Sequence, residues 1–445
     1  MSQNLHVIVG LGETGLSCVR YLSQKGIPLA IIDSRKNPPH FMDFIETYPN
    51  IPVSLGKMDS PLLDQADKII LSPGVSLHEP AIIKQLNRGV PVVGDVELFA
   101  TAANAPIIAI TGTNAKSTVT TLVGQMAVES DLNVEVGGNL GIPSLDLLRV
   151  TPPDLYVLEL SSFQLETTNS LRSQVATVLN VTPDHMDRYN TFNDYYLAKQ
   201  RIYQNCQNAV CNRDDSYTDC DDRYEQNKFY FTLGKPQQNE FGLIEKNGQQ
   251  YLGFEAQELM PITDLPILGR HYQANALAAL AIGYAYGFPM DKMINTLRVF
   301  KGLPHRCQLV RKRDGVTWYN DSKGTNVGAT LAAINGLGSE INGKLILIAG
   351  GVGKNADFSS LVPAVKQYVR KVILIGEAAA QLDILFKDFS DTSFANTMDE
   401  AVIIASKDAL FGDSVLLSPA CASFDMFNNF EHRGEVFTKL VQDLS

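Results

Sequence analysis

Short apolar runs punctuate the chain almost from end to end. Val7–Val9, Ala30–Ile32, Lys68–Leu71, Ile107–Ile110, Leu155–Leu160 and Ala176–Val181 fall in the first half, and Leu345–Ala349, Val372–Ile375 and Val415–Leu417 near the end. They are rich in Val, Ile and Leu without polar alternation, the pattern of parallel strands covered on both faces. Between them apolar positions recur at helical spacing, so that Val119, Leu122, Val123 and Met126 share one helix face. The pattern predicts an α/β chain built on doubly wound sheets.

Two stretches depart from it. Residues 206–262 carry alternating aromatic segments such as Lys228–Thr232, and Asn247-Gly248 separates Gly242–Glu245 from Tyr251–Phe254 as a hairpin turn would. An antiparallel patch in the middle of the chain is expected there. Lys301–Arg306 is a Gly/Pro turn after a helical pattern and reads as a domain boundary, with another near Gly94-Asp95. At about 150 residues per domain, 445 residues suggest three domains, 1–95, 96–302 and 303–445.

Composition narrows the function. A hydrophobic fraction of 45% supplies several cores, and a net charge of −11 argues against a general nucleic-acid binder. The longest apolar helical stretch, Ala276–Phe288, is broken by Gly283 and Gly287 and falls short of the roughly 18 residues of a membrane span. Met1–Gly12 lacks the basic flank and cleavage site of a signal peptide. The six cysteines include no C-x-x-C pair, which predicts reduced thiols in a cytoplasmic protein.

Two glycine loops carry the candidate chemistry. Gly10-Leu-Gly-Glu-Thr-Gly15 follows an apolar run and opens a helix, and Asp33 ends the next run. Such glycines let the backbone approach a pyrophosphate, and an acid at that distance suits a ribose. Taken alone, the motif fits a dinucleotide, another nucleotide or a purely structural turn. Thr111-Gly-Thr-Asn-Ala-Lys-Ser-Thr118 is more specific. A P-loop needs this order, with amides cradling phosphates, Lys116 as the phosphate cation and Ser117 as a metal-binding hydroxyl. Ala115 stands where glycine usually precedes the lysine, at a cost in stability if the position requires positive φ. An oxidoreductase has no use for the second loop, whereas a protein that spends ATP on a nucleotide-linked substrate needs both.

Three further residues are read from their local sequence. Glu159 ends a buried apolar strand, where a carboxylate suits Mg²⁺. His185 follows a strand within Asp184-His-Met-Asp187 and is equally a loop cap or a ligand. Lys199, on the helical pattern Tyr195–Tyr203, reads from sequence alone as a solvated surface lysine.

The P-loop resembles the T-G-T-N-G-K-S-T loop of the Mur ligases and folylpolyglutamate synthetases. The likeness continues in order through Gly138-Asn139, Glu159–Gln164, His185–Tyr189, Lys199, Gly269-Arg-His271 with Asn275, Leu303–Arg306, Asn320–Lys323 and Gly350-Gly351. Leu71–Val75, Gly94–Phe99 and Leu417–Asp425 are similar to the D-glutamate-adding branch of the Mur ligases. The resemblance implies a Rossmann-like N-terminal domain, a central P-loop mononucleotide-binding sheet and a Rossmann-like C-terminal domain. It implies an acyl-phosphate ligase that joins D-glutamate to UDP-N-acetylmuramoyl-L-alanine with ATP and two Mg²⁺ ions, acting as a monomer.

The same resemblance assigns residues. Lys116, Glu159, His185, Lys199 and Lys323 would be catalytic. Gly112, Thr113, Asn114, Lys116, Ser117, Thr118, Asn275, His305, Arg306 and Asp321 would hold ATP. Thr14, Asp33, Ser34, Ser72 and Asn139 would hold UDP, and Thr325, Lys354, Ser423, Phe424 and Phe430 the D-glutamate. Ser117, Glu159, His185 and a carbamylated Lys199 would hold the metals. Two departures stand out: Tyr272 where Asn is frequent in the family, and Val352 where Asp is common. Three substrates on three domains imply closure, with hinges near 94–96 and 300–304.

Overall fold

A computed structural model describes residues 4–220, 226–267 and 269–444. Three sheets follow one another along the chain. The first holds β1 (His6–Val9), β2 (Leu29–Asp33), β3 (Val53–Leu55), β4 (Lys68–Leu71) and β5 (Val92–Val93), all parallel, in the order β3-β2-β1-β4-β5. β1 and β2 are buried along their whole length, as their unbroken apolar runs require.

The central sheet contains β6 (Ile107–Thr111), β7 (Val134–Gly138), β8 (Leu155–Glu159), β9 (Val175–Val178), β10 (Asn208–Asn212), β11 (Asn227–Phe231), β12 (Glu240–Lys246), β13 (Gln249–Phe254) and β14 (Gln257–Pro261). Its order is β14-β13-β12-β11-β10-β9-β6-β8-β7. The antiparallel part is narrower than the aromatic alternation suggests. β10, β11 and β12 run parallel, and only β12–β13 and β13–β14 are antiparallel. The turn between β12 and β13 is the expected Asn247-Gly248, both at positive φ (53° and 76°), the conformation a two-residue hairpin demands.

The apolar run that ends at Val181 leaves its ladder at Val178, because the next residues serve the P-loop instead. Asn180 O accepts from Thr113 N at 2.9 Å and Asn180 Oδ1 from Asn114 N at 2.8 Å. Val119, Leu122, Val123 and Met126 are fully buried on helix Lys116–Glu129, against the apolar helix Arg270–Tyr286. That second helix buries Ala276–Gly283 in this core. Among the described residues no helix is long and apolar enough to cross a membrane.

The third sheet holds β15 (Gln308–Arg313), β16 (Val316–Asn320), β17 (Leu345–Gly350), β18 (Val369–Ile375), β19 (Asp391–Phe394) and β20 (Ser414–Leu417), ordered β15-β16-β20-β17-β18-β19. It is parallel except for the β15–β16 hairpin. The purely doubly wound pattern did not anticipate that hairpin, although Asp314-Gly315 is a strong turn signal. The chain is thus α/β in three domains, and the loops at the carboxyl ends of β1, β6 and β16 converge on the candidate site.

Candidate active site

The first glycine loop leaves β1 with Gly10 at φ +99°. A Cβ on Gly15 would lie 2.0 Å from Gly10 O, so the helix packs on the turn only because Gly15 has no side chain. The loop borders a cavity of about 530 Å³ between the first and central sheets. Thr14, Asp33, Ser34, Ser72 and Asn139 all line it, together with Arg35, Gly138 and Gln164. Sequence reasoning missed Arg35. The Asp33 carboxylate accepts from Leu11 N (2.8 Å), Arg35 N (2.8 Å) and the Arg35 guanidinium (2.6 and 2.9 Å). Burial alone would raise the Asp33 pKa, but Arg35 and the two backbone donors hold it below the usual carboxylate range. Asp33 therefore clamps the loop with its oxygens already engaged, while Ser72 Oγ donates to Gly10 O at 2.8 Å.

The second loop follows β6. Ala115 has φ +66° and ψ −6°, the left-handed conformation that favours glycine, immediately before helix Lys116–Glu129. Lys116 Nζ curls back to donate to Gly112 O and Thr113 O, each at 2.9 Å. Thr113 Oγ1 lies 2.9 Å from Tyr195 OH. Asn180 Nδ2 donates to Asn114 O at 3.1 Å. Asn180 thus braces the loop on both polar faces, a role that hydrophobic patterning does not signal.

Lys199 corrects the sequence-only expectation of a surface lysine, being only 2% exposed. Helix Phe192–Gln200, capped by Thr191 and Asp194, turns it inward. Lys199 Nζ donates to Gly112 O at 2.8 Å and sits 4.6 Å from the Tyr195 ring centre. Burial, then Lys116, drives its pKa well below the ordinary lysine value. Burial also lowers the pKa of Lys116 and Arg306, and brings Lys323 down to about 8. Four cations are thus gathered where their charge is costly, and a polyanion between them would relieve that cost.

The carboxylates of Glu159, Asp184, Asp321 and Glu431 act on these cations. Glu159, at the carboxyl end of β8, is buried; Oε1 accepts from Asn139 Nδ2 at 2.6 Å, and Oε2 has no hydrogen-bond partner among the described residues. Ser117 Oγ accepts from Arg306 Nη2 at 2.7 Å. His185 has φ +57° and its ring stands 5.0 Å from that of Phe163; burial lowers its pKa. The unpaired buried oxygen of Glu159 and the P-loop hydroxyl of Ser117 are oxygen donors of the kind that suits Mg²⁺. Among the described residues no group of three or more His, Cys, Asp or Glu could hold a metal ion. Such an ion would therefore also need hydroxyl or phosphate oxygens.

A second cavity of about 320 Å³ lies between the central and third sheets. Asn114, Thr118, Asn275, Arg306 and Asp321 line it, and so do Lys323, His271, Tyr272 and Cys307. Burial raises the Asp321 carboxyl to about 6, while Ser418 Oγ donates to its Oδ2 at 2.7 Å. Gly112, Thr113, Lys116 and Ser117 form the loop beside this cavity. His305 turns away from it: its Nδ1 lies 3.0 Å from Asn320 Nδ2 and its ring faces Phe430. Tyr272 is buried, stacked parallel on Phe300, with its hydroxyl unpartnered among the described residues.

The residues expected to meet an amino acid line neither cavity. Val352 bridges Ala422 in antiparallel fashion, which brings the Lys354 and Ser423 segments together. Ser423 is buried, whereas Phe424 is 72% exposed. Phe430 lies under Lys323, with Nζ 3.6 Å from its ring centre, and Thr325 follows directly after the Lys323 turn.

Comparison with known proteins agrees with this arrangement. Residues 4–94 match the MurD-like N-terminal domain of Mur ligases, 110–283 the Mur ligase middle domain and 305–421 the Mur ligase glutamate ligase domain. UDP-N-acetylmuramoylalanine--D-glutamate ligase of Pseudomonas aeruginosa is 51% identical over 444 residues, covering 100% of this chain and 99% of the relative. The protein of that name from Coxiella burnetii is 52% identical, with 100% of both chains covered. Among solved structures, a pseudomurein peptide ligase type C from Methanothermus fervidus superposes with a TM-score of 0.61 at 18% identity, covering 99% of this chain and 100% of that one. The MurF ligase from Thermotoga maritima in complex with ADP gives 0.60 at 17% identity, covering 99% and 97%. With the three family domains matched in order and relatives half-identical from end to end, this protein belongs to the Mur ligase family.

Proposed function

We propose that the protein is an ATP-dependent, ADP-forming amide ligase that adds D-glutamate to UDP-N-acetylmuramoyl-L-alanine during peptidoglycan precursor synthesis. The observation that carries this reading is the gathering of Lys116, Lys199, Arg306 and Lys323 around the P-loop, with Glu159 acting on Lys116, Arg306 and Lys323 and bonded to Asn139 at the edge of the first cavity. We divide the chain at 95/96 and 302/303, so that each domain brings one substrate. Because all three sites lie in one chain, the enzyme works as a monomer, in the cytoplasm where ATP is supplied.

In this scheme the cavity at the first glycine loop takes the UDP end, with Thr14, Ser34, Ser72 and Asn139 offering polar contacts and Asp33 fixing the loop. The second cavity takes ATP. Asp321 holds the ribose, while the P-loop amides of Gly112–Thr118, Lys116, Asn275 and Arg306 hold phosphates. The substrate carboxylate attacks the γ-phosphoryl group, displacing ADP to form an acyl phosphate; the D-glutamate amine then attacks that carbonyl, gives up a proton and expels inorganic phosphate. Both steps concentrate negative charge, so the enzyme's contribution is positioning and preorganised cations. In this reading Lys323 meets the acyl phosphate, and Thr325, Lys354, Ser423, Phe424 and Phe430 take the amino acid. His305 supports this wall through Asn320 instead of touching nucleotide.

Ser117, Glu159, His185 and carbamylated Lys199 would hold two Mg²⁺ ions. When bound, these ions neutralise phosphoryl oxygens during transfer. Carbamylation would convert the costly buried ammonium of Lys199 into an oxygen donor.

The test is phosphate release from ATP and Mg²⁺ with UDP-N-acetylmuramoyl-L-alanine and single amino acids. D-glutamate alone should support it. Release with L-alanine or meso-diaminopimelate but not D-glutamate would reject the substrate, and NADH oxidation without phosphate release would reject the class.

A further inference from the structure

Among the described residues, Arg306, His271 and Asn326 make side-chain contacts that join the central and C-terminal domains around the P-loop. Arg306 meets Ser117, both already placed in the phosphate machinery. The His271 ring packs into a notch left by Gly336, where a Cβ would lie 2.5 Å from Nδ1. The third contact is Asn326, which neither motif nor cavity singles out.

Asn326 precedes helix Val327–Gly338 in extended conformation (φ −140°, ψ 163°), and its Oδ1 caps the helix by accepting from Ala329 N at 2.8 Å. Both protons of its Nδ2 cross to the central domain. One goes to Asn114 Oδ1 at 3.1 Å, the other to Asp184 Oδ2 at 2.9 Å. Asn114 belongs to the P-loop, and Asp184 Oδ1 accepts from His185 N at 2.9 Å. The first turn of the helix is seated as closely, since a Cβ on Gly328 would stand 3.0 Å from Thr182 Oγ1. One carboxamide, with every polar atom used, therefore ties the start of a C-terminal helix to the phosphate loop and to the His185 segment. Lys323 and Thr325 lie within three residues of it, so a shift at Asn326 moves them directly.

We propose that Asn326 is a positioning residue that locks the C-terminal domain onto the P-loop in the closed state and so sets Lys323 and the amino-acid wall against the phosphates. It acts through Asn114 and Asp184 and touches no reacting atom. This deepens the ligase reading above and rests on it. A displacement of about 1 Å in such a constellation is enough to slow chemistry substantially.

Asn, Asp and Ser are all good N-caps, so N326S and N326D keep the helix start while losing the amide donors that cross to Asn114 and Asp184, and N326D also adds a negative charge there. The expected result for N326S is a kcat lower by roughly tenfold or more, with thermal stability unchanged. N326D should be slower still, because two carboxylates then face each other. The exchange D184N/N326D restores a donor–acceptor pair with reversed polarity and should recover activity well above N326D. Wild-type kcat in both single variants, or an exchange no better than N326D, would overturn the proposal.

A second arm needs no turnover. Solution scattering with ADP and Mg²⁺ should show a larger radius of gyration for N326D than for wild type, and a return toward wild type in the exchange. Equal radii in all three would also overturn it. A wild-type protein that shows this difference yet releases no phosphate with D-glutamate would refute the functional reading and leave the lock standing.

Discussion

Lys116 and Lys199 converge on a single acceptor: both ammonium groups donate to the Gly112 carbonyl, at 2.9 and 2.8 Å. Two cations on one backbone oxygen, one of them 2% exposed, are poorly neutralised. The Lys199 charge is the less tolerable of the two, since burial and the neighbouring Lys116 both work against it. An amine held toward its neutral form is nucleophilic toward CO₂, and a carbamate there would pair with Lys116 instead of opposing it.

Lys199→Ala should therefore abolish phosphate release, and a short carboxylate such as formate or acetate should restore part of it by filling the space with an anionic oxygen. Labelled bicarbonate should give a carbamate carbonyl resonance in the wild type and none in the variant. Full activity in Lys199→Ala, or rescue by methylamine equal to that by acetate, would dismiss this role.

Ala115 carries a strain that its neighbours maintain. It is held at φ +66° immediately before a helix, and the left-handed region costs a non-glycine residue about 1–2 kcal/mol. Glycine would relieve that cost while giving back some unfolded-chain entropy and a methyl contact with the core. Ala115→Gly should stabilise the protein by about 0.5–1 kcal/mol in urea unfolding. A variant less stable than the wild type would show that the methyl contact outweighs the backbone strain.

What could be read in advance follows from which forces leave a periodic trace. β6 and β8 are buried on both faces, so their apolar runs and the loops after them were legible, and with them Lys116 and Glu159. Lys199 was not legible from its own neighbourhood. Its helix buries Tyr195, Ala198 and Lys199 together, and only the fold lays that face over Gly112; family likeness, not patterning, pointed to it. Arg35, Asn180 and Asn326 escaped because each acts through polar contacts alone, to a carboxylate, a backbone group or another amide, which leave no hydrophobic signature. The β15–β16 hairpin escaped for a different reason: its Asp314-Gly315 turn was visible, but β15 is half-exposed and lacks the apolar run that marks the parallel strands.

Glu159 offers a substitution that separates charge from packing. Asn139 Nδ2 donates to Oε1, and a glutamine can accept that bond with its own carbonyl. Glu159→Gln should therefore fold normally. It removes an anion that supports the charge on Lys116, Arg306 and Lys323. We expect kcat to fall by about 100-fold or more, with a higher Mg²⁺ concentration needed for half-maximal rate. A glutamine variant with wild-type magnesium dependence would exclude Glu159 as a metal-binding group.

Lys323 gives a prediction in which activity and stability move in opposite directions. Burial, reinforced by Arg306, lowers its pKa from 10.5 to about 8, although Glu431 and Glu159 pull the other way and the Phe430 ring face stands 3.6 Å from Nζ. Below pH 8 the folded protein carries a disfavoured cation that the unfolded chain holds freely. Between pH 8 and 10.5 the unfolded chain binds a proton that the folded one has lost, so stability rises with pH, by up to about 1.4 kcal/mol per unit. Above 10.5 the penalty is gone. Lys323→Met should therefore unfold at higher urea than the wild type at pH 7, and that advantage should shrink as pH climbs from 8 to 10.5. The same variant should lose ligase activity, and wild-type kcat/KM should decline as pH rises past about 8 and Lys323 gives up its charge. Saturating ATP should move that decline to higher pH, because bound phosphates favour the protonated amine. Unfolding curves for the two proteins that differ by the same amount at pH 7 and pH 10 would rule out Lys323 as the strained cation.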